Sequence, residues 1–460
     1  MKFLKTAAAL GISAMLISSC SQPAQEGNEL TPMFKGQDLT GWKSVMGQAE
    51  FEIEGDEIIG YAKANSPNTF LITEEEYSDF ILELELKIED QSSNSGIMIR
   101  GQYDENANDG QGKVYGYQIE ADPTDRAWSG GLYDEARRGW IYPLDLNPSA
   151  KEAFKIGEWN KYRIEVIGNE IKSWINGTEV AYVVDDMDAS GHIGLQVHSI
   201  NNPEDEGNKT YFRNVKIQTE NLNPKEFKEE VFVANLSKNN LTEHEKANGW
   251  KLLFDGKTSE GWIGAYRDDF PKEGWHIDDG VLWIEAADGG ESSNFGDIVT
   301  KEKFEAFDLS FDFKLTEGAN SGVKYFVTLS EGNRGSAIGL EYQILDDKNH
   351  PDAKMGKDGN RTLASLYDLI TAKKEPRFVR PLGEWNSGRV VVHPNNKVEH
   401  FLNGIKVLEY HRGSEEYREL VAGSKYKDWE NFGEAEAGHI LLQDHGDKVS
   451  FKNIRIKDLQ

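Results

Sequence analysis

From residue 82 to residue 88 the chain alternates, with Leu82, Leu84, Leu86 and Ile88 falling on one side and Glu83, Glu85 and Lys87 on the other. A period of two predicts a half-buried β-strand with one wet face. The same binary pattern returns far downstream, where Leu309, Phe311, Phe313 and Leu315 alternate with Asp308, Ser310, Asp312 and Lys314. Asn176-Gly177 sits between two apolar runs, Ile171 to Ile175 and Val180 to Val184, and Asn403-Gly404 repeats the pair. Asn-Gly favours a type I′ hairpin because both central residues take positive φ. Helical periodicity is scarce and Gly totals 45. Many short strands joined by glycine turns predict an all-β sandwich or jelly roll, with a curved face open to a ligand.

These stretches belong to a longer duplication. Phe34-Lys35-Gly36 with Gly41-Trp42 returns as Phe254-Asp255-Gly256 with Gly261-Trp262, and Asn94-Ser95-Gly96 as Asn320-Ser321-Gly322. In the same order, Tyr117-Gln118-Ile119 matches Tyr342-Gln343-Ile344, Gly131-Leu132-Tyr133 matches Ser365-Leu366-Tyr367, and Gly157-Glu158-Trp159-Asn160 matches Gly383-Glu384-Trp385-Asn386. Gly191-His192-Ile193 with Leu195-Gln196 answers Gly438-His439-Ile440 with Leu442-Gln443, and Asn214-Val215-Lys216-Ile217 answers Asn453-Ile454-Arg455-Ile456. A repeat of about 200 residues is far longer than a solenoid unit, so each copy reads as a complete domain. The first runs from 30 to 218 and the second from 249 to 460. Between them, 219–248 reads as a charged connector with a short helix around Leu241 to Lys246.

The start of the chain reads differently. Lys2 and Lys5 precede an apolar run from Ala7 to Ile17, followed by Ser18-Ser19-Cys20. That is the layout of a secretory signal (1–20) ending in a lipobox, with Cys20 lipidated and the protein anchored in a Gram-negative envelope at the outer membrane. No second run of membrane-spanning length follows, so the lipid is the expected membrane contact. With a single Cys there is no internal disulfide, and stability must come from buried core. The net charge of −28 disfavours nucleic acid and anionic membranes and favours neutral or cationic partners, among them sugars.

No zinc-type ligand spacing, nucleophile elbow or phosphate-cradling glycine loop is present. The chemistry left is carboxylates, histidines, amides and cations, and in the second domain these cluster from Lys324 to Arg361. Strand alternation sets Glu341 and Gln343 on one face and Tyr342 and Ile344 on the other. The loop beyond carries Asp346, Asp347, His350, Asp352, Asn360, Arg361 and Tyr367, dense enough in polar chemistry to hold a site. Gln443 and His445 add a second group, paralleled by Gln196 and His198. In the first domain the candidates are Gln118, Glu120, Trp128, Tyr133, Arg137 and His198, with the tryptophans as stacking platforms for a sugar. No counterpart of His350 or of Asn360-Arg361 is evident there, so the two clefts should take different ligands. No cofactor is expected; calcium at Asp346, Asp347 and Asp352 is conceivable, although the spacing fits no known loop.

Taken together, these repeated motifs resemble the 3-keto-disaccharide hydrolase family of Bacteroidota envelope lipoproteins. The resemblance covers both domains and is closest in the second, through Glu341-Tyr342-Gln343-Ile344-Leu345-Asp346-Asp347, His350-Pro351-Asp352-Ala353-Lys354, Gly359-Asn360-Arg361-Thr362, Ser424-Lys425-Tyr426 and Leu442-Gln443-Asp444-His445-Gly446. It implies two tandem concanavalin-A-like jelly rolls that hydrolyse glycosides already oxidised at carbon 3, downstream of a separate sugar 3-dehydrogenase. A ketone there acidifies the carbon 2 hydrogen, so a base can form an enolate, the glycosidic oxygen leaves, and water adds to the alkene. That path requires a base, an enolate stabiliser and an acid. The candidates are His445 or Asp346 as base, Lys324 and Arg361 as stabilisers, and Glu341 or Tyr367 as acid, with Gln343, His350, Asn360 and Gln443 binding substrate. Two alternatives stand beside this reading: a non-catalytic carbohydrate-binding lipoprotein, or a first domain that binds and a second that catalyses.

Overall fold

Alternation along each strand decides the architecture. The computed structural model describes residues 29–34, 38–227, 230–287, 295–329 and 337–459; the leader and Cys20 lie outside the described residues. Each domain is two sheets packed face to face, of nine and seven strands in the first domain and of eight and five in the second among the described residues, all pairs antiparallel except that of Ala234–Asn235 with Thr178–Val184. The expected tandem jelly-roll sandwiches are therefore present. Strands Phe80–Ile88 and Phe307–Leu315 hold the centres of the larger sheets, and Leu82, Leu84, Leu86, Leu309, Phe311 and Phe313 all point into the cores. No described helix is long and apolar enough to cross a membrane.

The duplicated motifs are small latches. Asn176-Gly177 and Asn403-Gly404 turn with φ of 51° and 85°, and 50° and 81°, as a type I′ hairpin requires. The asparagine of each Gly-x-Trp-Asn motif accepts a hydrogen bond from that turn: Asn176 Nδ2 to Asn160 Oδ1 at 2.9 Å, and Asn403 Nδ2 to Asn386 Oδ1 at 2.9 Å. Each Gly-Trp places an indole N–H on a backbone carbonyl, Trp42 on Met33 and Trp262 on Leu253. Small polar side chains thus pin loops onto sheets wherever the backbone would otherwise lack partners.

One part of the pattern resolves differently from its expectation. Glu83, Glu85 and Lys87 do lie on a partly wet face, but Asp308 and Ser310 are buried, because the connector and the first domain cover that side of the second domain's larger sheet. Val391 and Phe401 on this covered face join the first domain's core cluster, and Asp308 is neutralised by a bidentate Arg389 at 2.6 and 2.7 Å. The connector is ordered in its own right. Strand Ala234–Asn235 adds to the first domain's larger sheet, and helix Glu243–Ala247 carries a Thr242/Glu245 capping box. Glu245 also makes a fully buried ion pair with Arg455 of the second domain, while Arg455 donates to the Val233 carbonyl at 2.8 Å.

One carboxylate therefore caps a helix and joins two domains. Removing one partner of a buried pair leaves a charge without compensation and typically costs about 3–5 kcal/mol. Glu245→Ala should lower stability by about 3 kcal/mol or more in urea unfolding of the intact chain. Lys246→Ala, which breaks only an exposed contact with Glu243, should stay within about 0.5 kcal/mol of the parent.

Candidate functional site

In both domains the outer face of the smaller sheet carries a row of polar side chains, and the Asn-Ser-Gly motif builds it. Ser95 and Ser321 each donate to the carbonyl of the matching glutamine, Gln196 at 2.7 Å and Gln443 at 2.8 Å, which ties neighbouring strands together. The glycine clears space: a Cβ at Gly96 would lie 2.4 Å from the Gln118 side chain, and one at Gly322 would lie 2.4 Å from Glu341 Oε1. The asparagine then bonds the next member of the row, with Asn94 donating to Glu120 Oε1 at 2.8 Å and Gln343 donating to Asn320 Oδ1 at 3.3 Å.

This geometry corrects the alignment of the two Tyr-Gln-Ile segments. Pairing places Gly96 opposite Glu120 but Gly322 opposite Gln343, and Gln118 opposite Tyr133 where Tyr367 bonds the Glu341 backbone. Gln118 is therefore the structural counterpart of Glu341, and Glu120 that of Gln343, so the two domains hold the same row with carboxylate and amide exchanged. A second difference follows. Lys324, which pairs with Glu341, is replaced by Met98, which pairs with Gln118.

In the second domain Lys324 Nζ lies 3.8 Å from Glu341 Oε2, and both side chains are buried. Asn320 bridges from Gln343 to His445, whose Nε2 lies 3.3 Å from Asn320 Nδ2. The His350 ring stands edge-on to His445, with centroids 6.1 Å apart. His350 Nδ1 accepts the Asp352 amide at 3.2 Å, so in the neutral ring the proton sits on Nε2. Burial, then the neighbouring His445, holds the His350 pKa below its usual value and keeps that neutral form. Tyr367 donates to Asp352 Oδ2 at 2.8 Å and packs under the Arg361 guanidinium and the Lys425 ammonium. Gln443 is buried just beyond strand His439–Leu442.

Several predicted residues turn out to brace the loop. Burial alone would raise the Asp346 pKa, but bonds from the Gly318, Lys348 and Asn349 amides and from the Asn349 side chain hold it below the usual range and saturate the carboxylate. A base so tied is a poor proton acceptor. Arg361 is likewise engaged, by Asp352 at 2.9 Å and Asp368 at 2.7 Å, and Asn360 Oδ1 accepts the Lys357 amide. The conceivable calcium trio does not form a cage, because Asp347 binds Lys374 and the Leu363 amide while Asp352 binds Arg361 and Tyr367. The one grouping of suitable ligand atoms among the described residues is His350, His445 and Asp447, within 4.8 Å of one another. Ligation through His350 Nε2 would require the Nδ1 cap to break.

The first domain's row lines a cavity of about 410 Å³ together with Tyr133, Trp140 and His198. Burial pushes the Glu120 carboxyl up to about 7, against the lowering bonds from Asn94 and Gln118. His198 is half-buried with Nδ1 2.7 Å from the Ser199 carbonyl, and desolvation lowers its pKa. Two candidates lie elsewhere. Arg137 is held by Asp134 and Asp188, and Trp128 is covered edge-on by Trp140 at 4.8 Å.

The family described as the 3-keto-alpha-glucoside-1,2-lyase-like domain matches residues 29–218 and again 249–457. The chain belongs to that family. A protein of Bacteroides thetaiotaomicron strain VPI-5482 named 3-keto-disaccharide hydrolase is 39% identical over 234 residues, covering 46% of this chain and 79% of that protein. Two crystal structures from Parabacteroides distasonis ATCC 8503, provisionally named glycosyl hydrolases, are 33% and 30% identical, match 49% and 46% of this chain and all of their own, and give TM-scores of 0.43 and 0.36. Asn320, Asp447 and Lys425 escaped selection as site residues, although the repeated Asn-Ser-Gly was the signal that could have found Asn320.

In this member of the lyase-like family the loop over the row hangs on a buried histidine. Ala364 takes a left-handed φ of 63° where the first domain has Gly130, and His400 Nδ1 donates to its carbonyl at 3.0 Å. His400 Nε2 accepts from Tyr325, and burial lowers the His400 pKa to about 4. The unfolded chain takes up this proton near pH 6.5 and the folded chain does not, so the contribution is intact above pH 6.5 and is lost as pH falls toward 4. Urea unfolding should show a loss of about 3 kcal/mol from this group across that window, and His400→Gln should flatten the slope.

Proposed function

We propose that the second domain is a carbohydrate-active catalyst that cleaves 3-keto-glycosides by elimination followed by hydration. The observation that carries this reading is the Lys324–Glu341 pair at one end of a polar row and the His445–His350 pair at the other, with Gln343 donating to Asn320 and Asn320 bonded to His445 between them. Family membership and the hydrolase name of the Bacteroides relative support it.

In this reading His445 removes the carbon 2 proton, and the C–H electron pair moves into an enolate whose oxygen is stabilised by the Lys324 ammonium. Glu341 holds that ammonium in place. The enolate collapses, the bond from carbon 1 to the glycosidic oxygen breaks, and the oxygen takes the His350 Nε2 proton. Water then adds at carbon 1 of the enone, its proton returning to His350 Nε2 while His445 gives its proton back to carbon 2, so both histidines are restored and the net change is hydrolysis. Unlike an ordinary glycosidase, the path has no need of paired carboxylates. The earlier candidates Asp346 and Arg361 serve as loop braces, and Tyr367 orders Asp352. Lipidation of Cys20 would place this chemistry in the cell envelope, on sugar oxidised by a separate dehydrogenase.

Rates with an aryl 3-keto-glucoside test the assignment. His445→Asn, Lys324→Met and Glu341→Gln should each lower kcat at least about tenfold, while Glu120→Gln in the first domain leaves it largely intact. Deuterium at carbon 2 should slow turnover, and the unoxidised glucoside should be untouched. Equal cleavage of the unoxidised glucoside, or three variants with near-parental rates, would overturn the reading. Binding of the keto sugar without any turnover would favour the non-catalytic alternative.

A further inference from the structure

We infer that the cleft of the first domain is a composite binding site for a sugar bearing a negatively charged group, with its cationic wall supplied by the second domain. The cavity holding Glu120, Tyr133 and Trp140 is closed on one side by Arg377, Phe378 and Arg380, which lie more than two hundred positions downstream. The wall is built rather than incidental. Asn403 Nδ2 donates to the Phe378 carbonyl at 2.8 Å and the Arg380 amide donates to Asn386 Oδ1 at 2.9 Å, so the hairpin latch of the second domain fixes this turn. Phe378 packs on Trp128 with centroids 6.2 Å apart.

Arg380 reaches across to the first domain and donates through Nη2 to the Trp140 carbonyl at 2.8 Å. No carboxylate among the described residues lies within ion-pair distance of its guanidinium, although the chain as a whole carries −28. A half-buried guanidinium whose bond across the interface is to a neutral carbonyl keeps its charge facing the cavity. Arg377 and Arg126 stand at the same cavity, each with a carboxylate of its own, Glu375 and Asp122. On the floor, burial raises the pKa of both carboxyls, Glu120 to about 7 and Glu135 in the same direction, which weakens their repulsion of an anion, and Glu120 is held by Asn94 and Gln118, a donor and acceptor set suited to sugar hydroxyls. The Trp140 and Tyr133 rings, 5.3 Å apart, give the apolar face of a pyranose a surface. Cation, amide-carboxyl floor and aromatic wall together fit a glycoside with a carboxylate or sulfate at its rim.

The inference is independent of catalysis in the second domain, and a failed turnover assay there would leave it standing. Equilibrium binding to the full chain, made inactive by Glu341→Gln, is the test, with 4-nitrophenyl glucuronide, 4-nitrophenyl glucoside 6-sulfate and neutral 4-nitrophenyl glucoside as probes. At least one charged probe should bind about tenfold or more tighter than the neutral one, and which of them does so identifies the anion. Arg380→Met should abolish the preference, and Arg377→Gln, an exposed change that leaves the fold intact, should weaken it several-fold. Equal binding of all three probes, or a preference that survives both arginine changes, overturns the proposal. Should Arg380→Met prove too unstable to assay, the several-fold weakening in Arg377→Gln together with loss of the preference in added salt decides in its place, and a preference unmoved by either overturns the proposal.

Discussion

A strand can give only every second side chain to its core, and the two rows depend on that constraint. Leu340, Tyr342 and Ile344 must fill the second domain's interior, so Glu341 and Gln343 must face outward. Ile97, Ile119 and Ala121 impose the same on the first domain, leaving Gln118 and Glu120 outside. The glycine of Asn-Ser-Gly then lets the outward side chains lie flat across the neighbouring strand instead of standing off it. Fold stability and site geometry follow from one alternation, and a slip of one residue would bury the charges and expose the core.

Duplication freed the copies to diverge within this frame. The second domain keeps a lysine beside its carboxylate, a cation placed where developing negative charge could be met. The first has Met98 in place of that lysine and moves its carboxylate one row position along, where burial raises it instead. One scaffold therefore offers two electrostatic environments. The mild sequence change behind this, a Gln and a Glu trading places, alters the chemistry more than loss of any single motif would.

Much of this was legible in the chain. The period-two stretches, the Asn-Gly turns and the colinear motifs were sufficient for two tandem β-sandwiches, because hairpin chemistry and core alternation are local. The outward direction of Glu341 and Gln343 followed from the same argument. The roles of Asp346 and Arg361 did not, since a carboxylate saturated by backbone amides and one free to act look identical in sequence. The Tyr-Gln-Ile match was misleading for a related reason. Identical tripeptides invite alignment, whereas strand register is set by the glycine and its cross-strand partner two residues away.

The least legible feature is the contact between domains. Asp308 and Ser310 read as solvent-facing because alternation reports which face a residue occupies and not what later covers it. The covering is what creates the composite cleft: burying Val391 and Phe401 against the first domain brings the turn after Pro376 over Trp140, and a latch asparagine that in the first domain merely holds a loop here aims two arginines at a neighbour's floor. Tandem copies docked in this way are not two independent modules. The first domain's cleft exists only while the second is folded and seated, so the buried Glu245–Arg455 pair at the connector couples stability of the interface to the shape of a ligand site at its far edge.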